Sequence, residues 1–426
     1  MKRISVFLLA LSVFAACGTV GKEDRVVLGD ERFDEYIPLL EGKRVAVFSN
    51  QTGIVGDKVL SGGIDERYAE AVARGEHPDR SLISFGQPVT GGHVVDALLE
   101  KGVDVTVIFS PEHGFRGTAD AGEQVGDSVD ETTGVPVVSL YGAGKQEAGE
   151  RAVSEFDVLL IDIQDVGLRF YTYYVTMKDL MDLCAAHGKK VVLLDRPNPN
   201  GFYVDGPVLD MRFKSGVGAL PIPVVHGMTL GELALMINGE GWLSDGRQAD
   251  LAVIPCLGYT HQTRYSLILA PSPNIRDMKA VYLYPSMCYF EGTVISLGRG
   301  TDYPFEVYGH PDMKDCSFTF TPQSVPGAKN PPLLGQECHG VDLRGLSDEE
   351  IWAGGVDLKY VADAFAKLGA GEDFFLGSNF FNLLTGNDYV REMILEGVSD
   401  EDIEARWAED VEAFKEQRRP YLLYKE

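Results

Sequence analysis

The sequence predicts an α/β protein: a doubly wound, mainly parallel sheet over residues 36–205, followed by a smaller α+β domain over 206–426. Three observations predict it. Five short runs are almost continuously apolar, as in strands buried on both faces of a parallel sheet. Segments of helical period lie between them, so strands and helices alternate as in βαβ units. After Asn200 the rhythm changes to shorter runs and Pro/Gly turns, and 426 residues exceed the usual single domain.

The elements follow in order. The strand runs are residues 43–49, 103–110, 135–140, 156–163 and 190–195. A helix at 93–101 puts Val94, Ala97 and Leu98 on one side, and one at 176–187 does the same for Met177, Leu180, Met181 and Cys184. Residues 56–88 interrupt the alternation with a Gly-rich, charged insertion that holds one helix near 64–74. In the second domain, Thr229 and Glu232 form a capping box for a helix at 229–238. The tail from Ser347 is mostly helical, and its 399–417 stretch lines up Ile403, Trp407, Val411 and Phe414.

Composition narrows the class. At 45% hydrophobic and 24% charged the chain is globular, not disordered. A net charge of -26 opposes binding to a phosphate backbone, so nucleic acid is not an expected partner. Met1-Lys2-Arg3 and the apolar run that follows make a secretory signal pattern, and Phe14-Ala15-Ala16-Cys17 is similar to a bacterial lipobox. An exported protein is expected, anchored to a membrane only through a lipid on Cys17, with residues 18–35 as a tether. The alternative is a cleaved signal with an incidental cysteine. Cys184, Cys256, Cys288, Cys316 and Cys338 lack CxxC spacing, which disfavours zinc and suits small core residues.

Ligands of open α/β sheets sit at the carboxyl ends of the strands. The segments there are rich in amides, tyrosines, arginines and carboxylates, a set that suits a many-hydroxyl, sugar-like ligand. They supply Asn50 and Gln51; Glu112, His113 and Arg116; Asp165, Arg169, Tyr171 and Tyr173; and Asn198. Glu112 follows a buried strand in a Pro-Glu-His-Gly turn, where desolvation raises a carboxyl pKa and suits a general acid. His113 can hold its charge state or bind substrate. Asp165 is a base, a nucleophile or an orienting group, or else a helix cap. Arg116 and Arg169 can clamp a carboxylate or form surface ion pairs. The tyrosines stack on a ligand or pack in the core. Asn274, Glu291, Arg299, Glu306 and His226 offer a second wall of a cleft, against the alternatives of Glu–Arg299 pairing and a satisfied core histidine.

Several signatures fail. Gly142-Ala143-Gly144-Lys145 fits neither nucleotide fingerprint, and there is no GxSxG elbow, HExxH or EF-hand loop. No cofactor or metal is expected.

The motifs around Asn50-Gln51-Thr52-Gly53, Pro111-Glu112-His113-Gly114, the Asp162 to Tyr173 stretch, Asp195-Arg196-Pro197-Asn198-Pro199 and Gly298-Arg299-Gly300-Thr301 together resemble the bacterial exo-β-N-acetylmuramidase family of the NamZ type, from about residue 36 to 426. The resemblance implies a Rossmann-like domain and a smaller C-terminal domain with the active site between them. It implies release of terminal N-acetylmuramic acid from the non-reducing end of peptidoglycan fragments, with Glu112 as the catalytic glutamate. Asp165, Glu306 or the substrate's own acetamido group would supply the second catalytic function. Arg116, Arg169 or Arg299 would read the lactyl carboxylate. The 56–88 insertion departs from the family pattern and bears on substrate length. Two other classes stay open: a muropeptide-binding lipoprotein without turnover, and a hydrolase of the peptide or amide side.

Overall fold

A computed structural model describes residues 25–56, 92–111, 114–115, 126–140, 142 and 144–426. The signal pattern, the helix at 64–74, and Glu112, His113 and Arg116 lie outside the described residues.

The main sheet has seven strands: β1 (Arg44–Ser49), β2 (Asp104–Ser110), β3 (Ser128–Val129), β4 (Pro136–Ser139), β5 (Val158–Asp162), β6 (Lys190–Leu194) and β7 (Asp250–Ile254), in the order β3-β4-β2-β1-β5-β6-β7. From β4 to β7 every neighbouring pair is parallel, and β3 joins the edge antiparallel. Counted along the chain, the six parallel strands run 3-2-1-4-5-6, the order of a Rossmann-like sheet, which reverses between β1 and β5.

Alternation explains why the strand runs are apolar throughout. Val45 and Val47 pack on one face with Tyr36 and Leu40 of α1 (Phe33–Leu40) and Val94 and Leu98 of α2 (Val94–Glu100). Ala46 and Phe48 point to the other face, where Met177, Leu180 and Met181 of α4 (Tyr173–His187) cover them, α3 (Lys145–Ala152) lying alongside. The capping box forms as expected: Thr229 caps α5 (Leu230–Gly239), and Glu232 returns to the Thr229 N–H at 2.9 Å.

Three expectations are corrected. The sheet continues past residue 206, because β7 pairs in register with β6 through the α5 crossover; its apolar run at 251–254 is as long as that of β6 but follows the change of rhythm after Asn200. The strand β3 is two exposed residues with no apolar signal. The tether reading fails for residues 25–35, since Gly29–Glu31 forms a 3₁₀ turn, Asp30 is buried, and α1 begins at Phe33.

The C-terminal unit carries α6 (Met278–Met287) and a three-stranded antiparallel sheet, with β10 (Cys338–Asp342) between β8 (Val307–His310) and β9 (Phe318–Phe320). Its tail is segmented, a 3₁₀ turn at Ala405–Trp407 separating Asp400–Glu404 from Ala408–Arg418, but Ile403, Trp407, Val411 and Phe414 are all buried. Cys184, Cys256, Cys288 and Cys338 are buried free thiols and Cys316 is half-buried.

Candidate active site

The switch point between β1 and β5 is built by hydrogen bonds that tie one strand exit to the next. Ser49 and Asp162 end the two strands in register. The Asn50 Oδ1 accepts the Thr52 N–H at 2.9 Å and the Thr52 hydroxyl at 2.6 Å, and the Thr52 Oγ1 accepts the Gln164 N–H at 3.0 Å. Asn50 Nδ2 donates to the Tyr173 hydroxyl at 2.9 Å. Tyr171 and Tyr173 donate to the Pro271 carbonyl at 2.8 and 3.2 Å, with their rings edge-on at 4.6 Å. Gln51 reaches the Ala270 carbonyl at 3.4 Å. Thus Asn50, Gln51, Tyr171 and Tyr173, distant in sequence, gather around the Ala270 and Pro271 carbonyls, and the Asp165 carboxyl acts on the Tyr171 hydroxyl; this strand-end group is the candidate crevice.

Asp165 is its titratable centre among the described residues. Its Oδ1 accepts the Gly167 N–H at 2.6 Å, while Oδ2 is buried without a partner. Burial pushes this carboxyl up to about 7, so it exchanges a proton near neutrality. Gly167 sits at φ +76°, and a Cβ there would lie 2.1 Å from Asn198 Nδ2, so only glycine fits.

Beneath the crevice is a buried charge cluster. Arg196 donates to Asp162 Oδ1 at 2.6 Å through Nε and to Asp162 Oδ2 at 2.9 Å through an amino group, and also reaches Asp30 at 2.7 Å. Further along the rim, Ser110 and Ser139 end β2 and β4 side by side in register. The hydroxyls of both serines, the Gln51 Oε1 and the Asp165 Oδ2 are buried and have no hydrogen-bond partner among the described residues. Native interiors leave few polar atoms unpaired. Four of the twelve such atoms among the described residues lie along the carboxyl ends of four adjacent strands, which makes that row the candidate ligand site.

The C-terminal unit carries a cavity of its own. Arg299 is held between Gly298 and Gly300, both at positive φ, and gives a 2.6 Å hydrogen bond to Glu291. The pair lines a cavity of about 750 Å³ with Lys329, Asn330, Leu333 and Phe380, within the range of small-molecule sites. Asn274 donates to the Gly327 carbonyl at 2.9 Å. The 270–274 segment thereby touches the strand-end group through the Ala270 and Pro271 carbonyls and, through Asn274, the cavity-lining Gly327.

Four other candidates do structural work. Arg169 is fully buried and gives both terminal amino groups to main-chain carbonyls, of Pro207 and Ile222 and of Leu384 and Thr385, at 2.6–3.1 Å. It is a strut between the two units and has no terminal donor left for a substrate carboxylate. Asn198 donates to the Met228 carbonyl and accepts the Asn200 N–H, bracing the turn after β6. His226 is a core histidine, pushed down to about 3 by burial and by Arg418. Glu306 does not pair with Arg299; it hydrogen-bonds the Asp277 carboxyl, and burial with that neighbour pushes it up to about 8. Sequence reading passed over Ser139, Gln164, Asp30 and Arg196 as site residues. The one available signal was a polar residue closing an apolar strand run, which Ser110 and Ser139 share.

The fold is that of a two-unit α/β protein, and its candidate site lies at the switch point of a Rossmann-like sheet. Family models identify which such protein: residues 85–279 match that of the "Exo-beta-N-acetylmuramidase NamZ, N-terminal" domain and residues 282–424 its C-terminal counterpart. The chain belongs to this family. The division near residue 280 falls after β7, as the sheet topology requires. The chain is 34% identical to the peptidoglycan beta-N-acetylmuramidase NamZ of Bacillus subtilis (strain 168), covering 99% of this chain and all of that protein. Two crystal structures of DUF1343 family proteins from Bacteroides fragilis NCTC 9343 are similar. One is 52% identical with a TM-score of 0.80, covering 95% of this chain and 100% of the other; the second is 26% identical with a TM-score of 0.75, covering 94% and 99%.

Proposed function

We propose that this protein is an exo-acting glycosidase that releases terminal N-acetylmuramic acid from the non-reducing end of peptidoglycan fragments. The observation that carries the reading is the row of unpartnered polar atoms at the switch point, in a chain that matches the muramidase family across both units. Sugar hydroxyls and an acetamido N–H are the complement of such a row, since Gln51 Oε1 accepts and the two serines both donate and accept.

Cleavage of a β-glycoside needs an acid at the leaving oxygen and stabilisation of an oxocarbenium-like centre. Glu112, one residue beyond the buried Pro111 that follows β2, is assigned as the acid, with His113 beside it. Asp165 supplies the second carboxyl, its unpartnered Oδ2 stabilising the developing charge or activating water. Arg299 reads the lactyl carboxylate; Arg169 is occupied elsewhere. The protein acts outside the cytoplasm, held to a membrane by a lipid on Cys17. Among the described residues no helix is long and apolar enough to cross a membrane. Loss of metabolic fatty-acid labelling in Cys17→Ala tests that anchor.

The test of function is release of chromophore from 4-nitrophenyl β-N-acetylmuramide. Glu112→Gln is expected to lower the rate by at least ~100-fold; an unaltered rate removes Glu112 as the acid. On muropeptides, free N-acetylmuramic acid is the expected product. Free peptide instead, or saturable binding without product, overturns the reading.

A further inference from the structure

The N-terminal segment ahead of α1 supports the loop that leaves β1. Val27 pairs with Leu257 in an antiparallel bridge, and the Gly29 N–H donates to the Asp195 carbonyl at 3.0 Å. A Cβ on Gly29 would stand 2.5 Å from the Ile254 carbonyl oxygen, so the segment lies flat against the ends of β6 and β7. This approach drives Asp30, with no exposed surface, beneath the loop that leaves β1. There both Asp30 carboxylate oxygens accept the Gly56 N–H, at 3.1 and 3.2 Å. The same side chain accepts Arg196 at 2.7 Å, and Arg196 donates to the Ile54 carbonyl at 3.1 Å and to Asp162 at the end of β5. Asp30 therefore grips the β1 exit loop at two points, directly at Gly56 and through Arg196 at Ile54.

That loop carries Asn50, Gln51 and Thr52, the first residues of the crevice. Arg196 also lines a small cavity with Thr52, Gln164, Tyr265 and Leu267. We propose that Asp30 is a positioning residue of the muramidase site, fixing the β1 exit loop through Gly56 and Arg196 so that Gln51 and Asn50 hold their places against the substrate. The inference rests on the proposed function for its kinetic consequence and on the hydrogen bonds alone for its structural one.

The charge balance agrees. Two buried carboxylates, Asp30 and Asp162, face one guanidinium, with Glu31 adjacent and the Tyr36 hydroxyl on the Asp30 carbonyl. Burial raises both aspartates, Asp30 to about 7.

The test uses the full chain, with Asp30→Ala and Asp30→Asn compared with wild type on 4-nitrophenyl β-N-acetylmuramide, alongside melting temperature and amide hydrogen exchange at residues 54–56. Both variants are expected to lose about 10–100-fold in kcat/KM well below their melting temperatures, the scale of a small misplacement remote from the chemistry. Asp30→Ala is also expected to lose protection at the Gly56 amide. If Asp30→Ala does not fold, Asp30→Asn decides, since it keeps an acceptor for Gly56 while removing the charge facing Arg196. A lowered melting temperature with unchanged kcat/KM overturns the proposal, because a purely structural strut acts that way. If wild type itself does not turn over the muramide, the functional reading fails, and unchanged Gly56 exchange in Asp30→Ala would then separately overturn the grip on the loop.

Discussion

Two buried polar clusters sit at neighbouring strand ends, and they are finished differently. At the end of β6, Asp195 Oδ2 accepts the Thr229 hydroxyl at 2.7 Å and the Tyr424 hydroxyl at 2.6 Å, and Oδ1 accepts the Gly231 N–H at 2.9 Å. Beside it Glu232 Oε1 accepts His261 Nε2 at 3.0 Å and the Leu423 N–H at 2.8 Å, while Oε2 takes the Thr229 N–H. Both carboxylates are satisfied, and together they lock the C-terminal residues onto the N-terminus of α5. At the β1/β5 switch point, by contrast, Asp165 uses one oxygen and leaves the other open, and Gln51, Ser110 and Ser139 are open too. A satisfied buried network rigidifies a fold, whereas an unsatisfied one is tolerated where a ligand completes it. Two sites of similar composition thus differ in how fully their polar atoms are satisfied.

The sharpest way to break this comparison is Glu232→Ala. Removing one partner from a buried, hydrogen-bonded charge cluster is expected to destabilise the protein by about 3–5 kcal/mol, measured by denaturant unfolding, with kcat/KM intact in the molecules that remain folded. A large kinetic defect without a loss of stability would show that this cluster, too, serves the reaction.

Asp165→Asn is expected to do the reverse, lowering kcat by about 100-fold or more. Its stability effect depends on pH. Because burial raises the Asp165 carboxyl to about 7 from the ordinary 3.8, the fold favours the protonated form. That contribution is fully present below about pH 4 and is lost as pH rises through about 7. Asn carries no charge, so the variant should gain on wild type by on the order of 2–4 kcal/mol between pH 4 and 8. A constant difference across that range would mean that Asp165 is solvated or already paired.

Arg299→Ala is expected to cost about 10-fold in kcat/KM for a muramide, as for the loss of a charge-assisted contact, and much less for the matching glucosaminide, which lacks the lactyl carboxylate. Equal losses on the two substrates would take Arg299 away from substrate recognition. Tyr173→Phe should have the smallest effect, about 1 kcal/mol of stability, since it removes the hydroxyl between Asn50 and Pro271 and leaves the ring in place.

Much of the fold was legible in the chain because its signals are local. The strands β1, β2, β5 and β6 announce themselves by runs largely buried on both faces, β4 by a shorter run buried on one, and α5 by its Thr229–Glu232 box. The strand β7 was hidden because its apolar run follows the change of rhythm after Asn200, and the docking of residues 25–31 because Asp30 and Gly29 find their partners more than twenty residues away. In the crevice, residue types at strand ends pointed to Asn50, Gln51, Asp165 and the tyrosines. The same residue types at Arg169 and Asn198 meant something else. Arg169 is an arginine in a polar loop by sequence, yet four carbonyls up to 216 residues away make it a strut.

What the sequence by itself determined is the identity of the main secondary elements and the polar character of the strand ends, because apolar period, caps and strand-end polarity act within a few residues. Only the tertiary structure decided which polar groups are satisfied and which remain open. A hydrogen bond across the fold depends on where distant segments come to rest, and no short stretch of chain encodes that.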